Sequence, residues 1–169
     1  MLAQLYLAYE KQLQTVINET TGKPLFKHFD LWNQNVEFLE EETPFQTPAV
    51  FFEFLPIQWK TLGQQVQDAD LSIIFHIVTE QYDTTAKYTP NKIRQQMLDY
   101  LNMPSWVIKK MQGYCTPFTN GLMRVRSVPN HNHGRYIDSP EEYICRVQDI
   151  SAAPMYTKVN VKPDVDVSF

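Results

Sequence analysis

Few residues in this 169-residue chain have the types and spacing that chemistry needs. His131-Asn132-His133 sets two histidines two positions apart, where alternate side chains of an extended segment could share a cation. A metal site needs three or four ligands, and no cysteine or carboxylate recurs at a ligand spacing; the nearest further candidate is Asp138. A solvated loop tip is the expected setting. His76 and Glu80 fall on one face of an extended run, but by strand rise they stand about 13 Å apart, beyond direct cooperation as acid and base. His76 therefore reads as a half-buried sheet residue, and Glu40-Glu41-Glu42 as a solvated acidic turn. Cys115 and Cys145 are the only cysteines, lack a reactive-cysteine signature and are expected as free thiols, which points to intracellular synthesis. There is no Gly-rich phosphate loop, no Gly-x-Ser-x-Gly and no His-Glu-x-x-His. The residues point to no catalytic site, no cofactor-binding site and no metal site.

The composition is that of an ordinary globular domain, with 43% hydrophobic and 20% charged residues. At this length one domain with a sizeable core is expected. No apolar stretch approaches the roughly 18–20 residues that a membrane-spanning helix needs, and no basic stretch followed by an apolar core marks a secretory signal. No membrane partner is expected. The net charge of −4 hides an asymmetry. Residues 1–86 carry 12 acidic and 4 basic side chains (net −8), and residues 87–169 carry 7 acidic and 11 basic (net +4). That balance argues against generic nucleic-acid binding, which wants a basic surface. It suits head-to-tail contacts between unlike surfaces, or two halves that interleave on folding.

The elements around these residues follow from periodicity. Leu2, Leu5, Tyr6, Tyr9, Leu13, Val16 and Ile17 recur at helical spacing, predicting an amphipathic helix over 2–17 that ends before Gly22. A strand is expected near Phe26–Leu31. Two runs dominate the chain: Ala49 to Leu55, and Leu71 to Glu80, in which Leu71, Ile73, Phe75 and Ile77 share one face. They read as adjacent antiparallel strands joined by a long loop over 56–70. Thr89-Pro90 opens a helix whose buried stripe is Ile93, Met97, Leu98 and Leu101. Pro104 stops or kinks it, and Ser105 caps a second short helix. Leu122–Val128 is expected as a strand with Arg124 and Arg126 on one face, 129–142 as an exposed loop, and Tyr143–Val147 as a further strand. The whole predicts an α+β domain over 1–150: a mostly antiparallel sheet of about four to five strands, covered on one face by two main helices.

Two features go beyond a self-contained core. The 56–70 loop presents Ile57, Trp59, Leu62 and Val66 as contact residues, unless they fold back on the core. Residues 151–169 form an extended C-terminal arm in which Val159, Val161, Val165, Val167 and Phe169 alternate with polar residues, a strand pattern without a sheet of its own; a disordered terminus is the alternative.

The order of elements resembles the tail-completion and tail-terminator proteins of tailed bacteriophages, minor tail or head–tail neck proteins. Phe45-Gln-Thr-Pro-Ala-Val-Phe-Phe-Glu-Phe-Leu55, Trp59, Ala69-Asp-Leu-Ser-Ile-Ile-Phe-His-Ile77 and the span from His131-Asn-His133 to Tyr143-Ile-Cys-Arg-Val147 are similar to minor tail proteins of phages and prophages of Bacteroidetes-type hosts. The resemblance covers roughly residues 1–150 and leaves 151–169 outside. It implies a structural, non-enzymatic subunit of a homo-oligomeric ring at the head–tail junction or tail end, made in the host cytoplasm and carried in the virion. Other neck or tail proteins would be its neighbours. DNA would pass through the lumen without sequence-specific binding. By position in the topology, the 56–70 loop and the arm become assembly surfaces. The alternatives are a monomeric intracellular binding or accessory module of a prophage, and a metal-dependent hydrolase using His131 and His133.

Overall fold

The structure, a computed structural model, describes residues 1–33, 45–80, 90–128, 130–133 and 136–154. The elements run α1 (Leu2–Leu13), β1 (His28–Leu31), β2 (Ala49–Phe54), β3 (Lys60–Gly63), β4 (Val66–Glu80), α2 (Asn91–Met111), β5 (Met123–Ser127), β6 (Asn130–His133) and β7 (Tyr136–Asp149). The path across the sheet is β1-β2-β4-β7-β5, with β3 on β4 and β6 on β7. Only β1 and β2 are parallel among these pairs. This is the expected α+β architecture.

Beneath that order lie two long hairpins. In the first, Phe54 faces Ile73 and Lys60 faces Asp68, so six steps on one strand match five on the other. One bulged residue in the 55–59 stretch, which contains Pro56, absorbs the difference, and residues 49–63 run along 66–80 as a single interrupted hairpin. The expected 56–70 loop is thereby corrected: most of it is strand, and its reversal is confined to Gly63–Val66. Gln64 and Gln65 both take left-handed φ, at 49° and 60°, as the two central residues of a type I′ turn must. Neither glutamine advertises such a turn, which hid the hairpin from sequence reading. The second hairpin pairs β5 and β6 with β7, replacing the exposed loop expected over 129–142. Arg124 faces Tyr143 and Arg126 faces Glu142, so a bulge at Val125 sends the two arginines to opposite faces, against the expectation of one face.

The long arms of the hairpins, β4 and β7, pair from Gln67↔Asp149 to Glu80↔Tyr136 without a shift. The first hairpin therefore reverses near the Gln67–Asp149 end of this pairing, and β6 joins β7 at the other end, beside Tyr136. On one sheet face Leu71, Ile73, Phe75, Ile77, Tyr143 and Val147 are fully buried against the helices. From α1 come Leu5, Tyr9 and Leu13, one stripe at four-residue spacing. The helix ends at Leu13, short of Ile17, because Asn18 Oδ1 accepts the Thr20 and Thr21 amides and turns the chain.

Helix α2 departs from expectation in three ways. It is one helix from Asn91 to Met111, passing through Pro104. Its buried residues include Tyr100, Met103, Trp106, Val107 and Met111, whereas Leu98 and Leu101 are 40% and 63% exposed. The side chains of Ile93 and Met97, Thr89 and the Glu40–Glu42 turn lie outside the described residues. Burial on both sides of Pro104 offsets the hydrogen bond it removes, which a local rule cannot weigh. Pro90, with ψ 138°, caps the helix instead of opening it. Asp99 ties α2 to the turn after α1: its carboxylate accepts from Asn18, Thr20 and Gln95 at 2.9–3.1 Å. Burial raises its pKa, but the three hydrogen bonds outweigh burial and hold it below the ordinary value.

The tip of the first hairpin yields a stability test. Each non-glycine residue at left-handed φ costs roughly 1 kcal/mol, so Gln65→Gly should stabilise the chain by up to about 1 kcal/mol in urea unfolding. Unchanged or reduced stability would show that the turn is not under that strain.

Candidate assembly surfaces

The helix-free face of the sheet carries the most elaborate side-chain cluster. Pairing of β2 with β4 and of β4 with β7 brings Glu53, His76 and Asp138 onto this face. His76 Nδ1 lies 2.8 Å from Asp138 Oδ2, and Nε2 lies 3.1 Å from Glu53 Oε2. Trp32 stacks on the ring at 3.7 Å and 3°. Phe45, Phe51, Val78 and Tyr136 close a second small core beside it. A ring carrying both protons donates to both carboxylates; with one proton, one contact loses its donor. The carboxylates sit on opposite ring nitrogens and do not converge on a common point. Among the described residues no group of three His, Cys, Asp or Glu is placed to hold a metal ion. His131 and His133 lie in β6, and Asp138, the carboxylate nearest them in sequence, bonds to His76.

Sequence reading missed this cluster. The signal for Glu53 was a lone carboxylate inside an apolar strand run. Asp138 gave none, because Asp138-Ser139-Pro140-Glu141-Glu142 reads as a loop. The structure buries Asp138, Ser139 and Glu141 by giving each a partner. Besides the His76–Asp138 bond, Tyr100 and Ser139 hydroxyls lie 3.0 Å apart, and Glu141 accepts from Arg124 at 3.2 Å and Ser127 at 2.6 Å. Pro140 fits because its carbonyl accepts the Val128 amide at 3.0 Å. Its nitrogen faces the same way, toward the break between β5 and β6 and away from β4.

Farther along the same face Ile144 and Met123 are 37% and 56% exposed, an uncovered apolar strip. Beyond it Arg146 grips both Asp68 oxygens through Nε at 2.8 and 2.9 Å. Asp68 and Arg146 line a polar recess of about 510 Å³ with Lys60, Leu62 and Asp70. Of the expected contact residues, Ile57 and Trp59 fold back on the main core. Leu62 is 56% exposed near the hairpin tip, and Val66 is half-buried. Val159, Val161, Val165, Val167 and Phe169 lie outside the described residues. Cys115 is an exposed free thiol, and Cys145 a buried one whose pKa burial pushes up.

On the helix side, Leu2, Tyr6 and Leu7 of α1 face Leu31 of β1 and Phe54 of β2 across an apolar groove of about 580 Å³, with Asp30 at its rim. Leu7 and Leu31 are 62% and 54% exposed. No helix among the described residues is long and apolar enough to cross a membrane.

No protein-family model and no curated protein matches the sequence. The fold is similar to that of a chain in a virion of a native gene transfer agent particle, with 12% identity and a TM-score of 0.47 over 86% of this chain and 95% of that one. The likeness is one of general shape.

Two measurements probe this face. His76→Phe leaves a buried Asp138 without its partner and should cost about 3 kcal/mol in chemical denaturation, and adding Asp138→Leu should recover part of that loss. A double variant no better than the single would contradict the pairing. For Asp68, the Arg146 hydrogen bonds lower the carboxyl pKa below its ordinary value, outweighing desolvation. A lowered folded-state pKa contributes stability above the unfolded value and loses it as pH falls through the folded one. The Asp68 carboxyl should thus titrate below the ordinary aspartate value by NMR, and Arg146→Gln should move it upward. An unmoved midpoint would contradict the assignment.

Proposed function

We propose that this chain is a structural, non-catalytic component of a phage-like particle: a subunit of a ring at the head–tail junction or tail end that mediates assembly and lets DNA through. The observation that carries this reading is the open sheet with two unlike edges. β1 forms one edge beside the apolar groove, and β5, exposed along its length, forms the other. Neither pairs with a further strand among the described residues. Unlike edges favour heterologous contacts, which close into rings when the rotation permits. The resemblance of the sequence to tail-completion proteins supports the same reading.

The charge halves bear on how copies meet. Arg146–Asp68 and Lys109–Glu19 pairs join the acidic and basic halves within one chain, so the sequence asymmetry is partly neutralised internally. Contacts between copies then rest mainly on apolar surface and strand edges, and a net charge of −4 lets DNA pass without holding it. The DNA would meet a lumen, and neck or tail proteins would meet the ends of the ring.

Light scattering over a concentration series tests the reading. The full chain should form a discrete or concentration-dependent oligomer, and a chain ending at residue 150, which keeps the described core residues, should assemble more weakly. A full chain that stays monomeric at all concentrations, alone and with candidate virion neighbours, would favour the monomeric accessory module.

A further inference from the structure

We propose that Lys158–Lys162 of one copy adds as a strand to the free edge of β1 in a neighbouring copy, seating Val159 and Val161 in the groove between α1 and β1. This rests on the ring-subunit reading for its setting, and its chemistry stands apart from it. The receptor is a strand edge that no described residue pairs with, and it has an apolar trough on one side. Phe29 and Leu31 face the helix side, in line with Phe52, while His28, Asp30 and Trp32 face the other. The donor has the matching two-sided pattern. Val159 and Val161 share one face, and Lys158, Asn160 and Lys162 share the other. With the valines in the groove, both lysines fall on the Asp30 side of the edge.

Pro163 sets the direction. The Trp32 amide bonds to the Phe52 carbonyl, so those β1 residues that face away from the helices point their backbone groups at β2. Phe29 and Leu31 point theirs at the free edge. A strand added parallel to β1 with the same facing repeats this geometry. Lys158, Asn160 and Lys162 then bond back to β1, while Val159, Val161 and Pro163 point outward. The amide that Pro163 lacks is not needed. An antiparallel strand would demand it. At this edge the Leu31 amide rests on its neighbour Asp30 Oδ1 at 2.8 Å. An incoming strand supplies a carbonyl for that amide and a lysine for the released carboxylate.

Reach requires a second copy. Described residues end at Pro154, whose segment turns back on Ile150 through the Ala153 amide. Residue 149 pairs with Gln67, at the end of the sheet opposite His28, which aligns through Ala49 with Val78. From Gln67 to Val78 is roughly 35 Å along the strand, with three to four strand spacings of about 4.8 Å to cross as well. The four residues from Pro154 to Lys158 span at most about 14 Å. A chain's own arm cannot place Lys158 beside His28, whereas a neighbour's can.

The test uses full-length protein and a synthetic peptide of residues 155–169. In a Val159→Asp/Val161→Asp full chain, whose own arms are disabled, the peptide should bind saturably and shift the NMR signals of Leu7 and Phe29–Leu31. Leu31→Lys should weaken that binding at least about tenfold. Peptide that does not bind, or that binds and shifts other surfaces, overturns the inference. Light scattering separates it from the ring reading. An oligomer unaffected by Leu31→Lys, with no peptide binding, keeps the ring and removes this contact. An association that stops at dimers or runs on as open chains, is weakened by Leu31→Lys and competes with peptide for the groove keeps the contact and removes the ring.

Discussion

The shift-free pairing of β4 with β7 is the constraint on which the rest depends. Fourteen consecutive residue pairs lock the two hairpins together, and a strand's alternation then dictates the face of every other side chain. A slip of one residue would send Leu71, Ile73, Phe75 and Ile77 to the open face and bring His76 under the helices. Register is therefore held from both sides: by the apolar core below the helices, and by the His76–Asp138 bond on the far face. A buried His–carboxylate cluster adds little net stability over a well-packed apolar set in its place, but removing one member, or shifting the register, leaves a buried polar partner unpaired. Its contribution is to single out one alignment among several that bury similar apolar area.

From that alignment follow the surfaces. The helices cover one face because α1 and α2 each present one apolar stripe and are tied together by Asp99. Among the described residues the opposite face is covered where Trp32 stacks on His76 and Phe45 packs with Phe51 and Tyr136, and Ile144 and Met123 farther along it are exposed. The edges differ as well. β1 is short, parallel to its neighbour and flanked by the exposed Leu7 and Leu31, whereas β5 is bulged and carries arginines paired to β7. One apolar edge groove and a different opposite edge are the features on which the proposed contacts between unlike surfaces rest.

Much of the main core was legible in the sequence. Period-two runs at Ala49–Leu55 and Leu71–Glu80, and the helical stripe that includes Leu5, Tyr9 and Leu13, name their elements because each buries one continuous apolar face. Most of what was not legible has one cause: local signals overridden by distant partners. The 136–142 stretch looks like a loop until His76, Tyr100, Arg124 and Ser127 satisfy its polar side chains. Pro104 looks like a helix end until Tyr100, Met103, Trp106 and Val107 bury both sides of it. The first hairpin hides behind a turn built from two glutamines. Of the candidate surfaces, the exposure of Leu62 was readable, but the groove was not, since it joins residues from α1, β1 and β2 that only the fold brings together.

The central claim is that copies of this chain meet through unlike surfaces and close on themselves. Electron microscopy of the purified full-length protein, concentrated to favour assembly and classified by particle shape, tests it most directly. Closed rings of uniform subunit number are the predicted result. Particles showing only two-fold dimers or isolated monomers, under conditions where the protein remains folded, would contradict it.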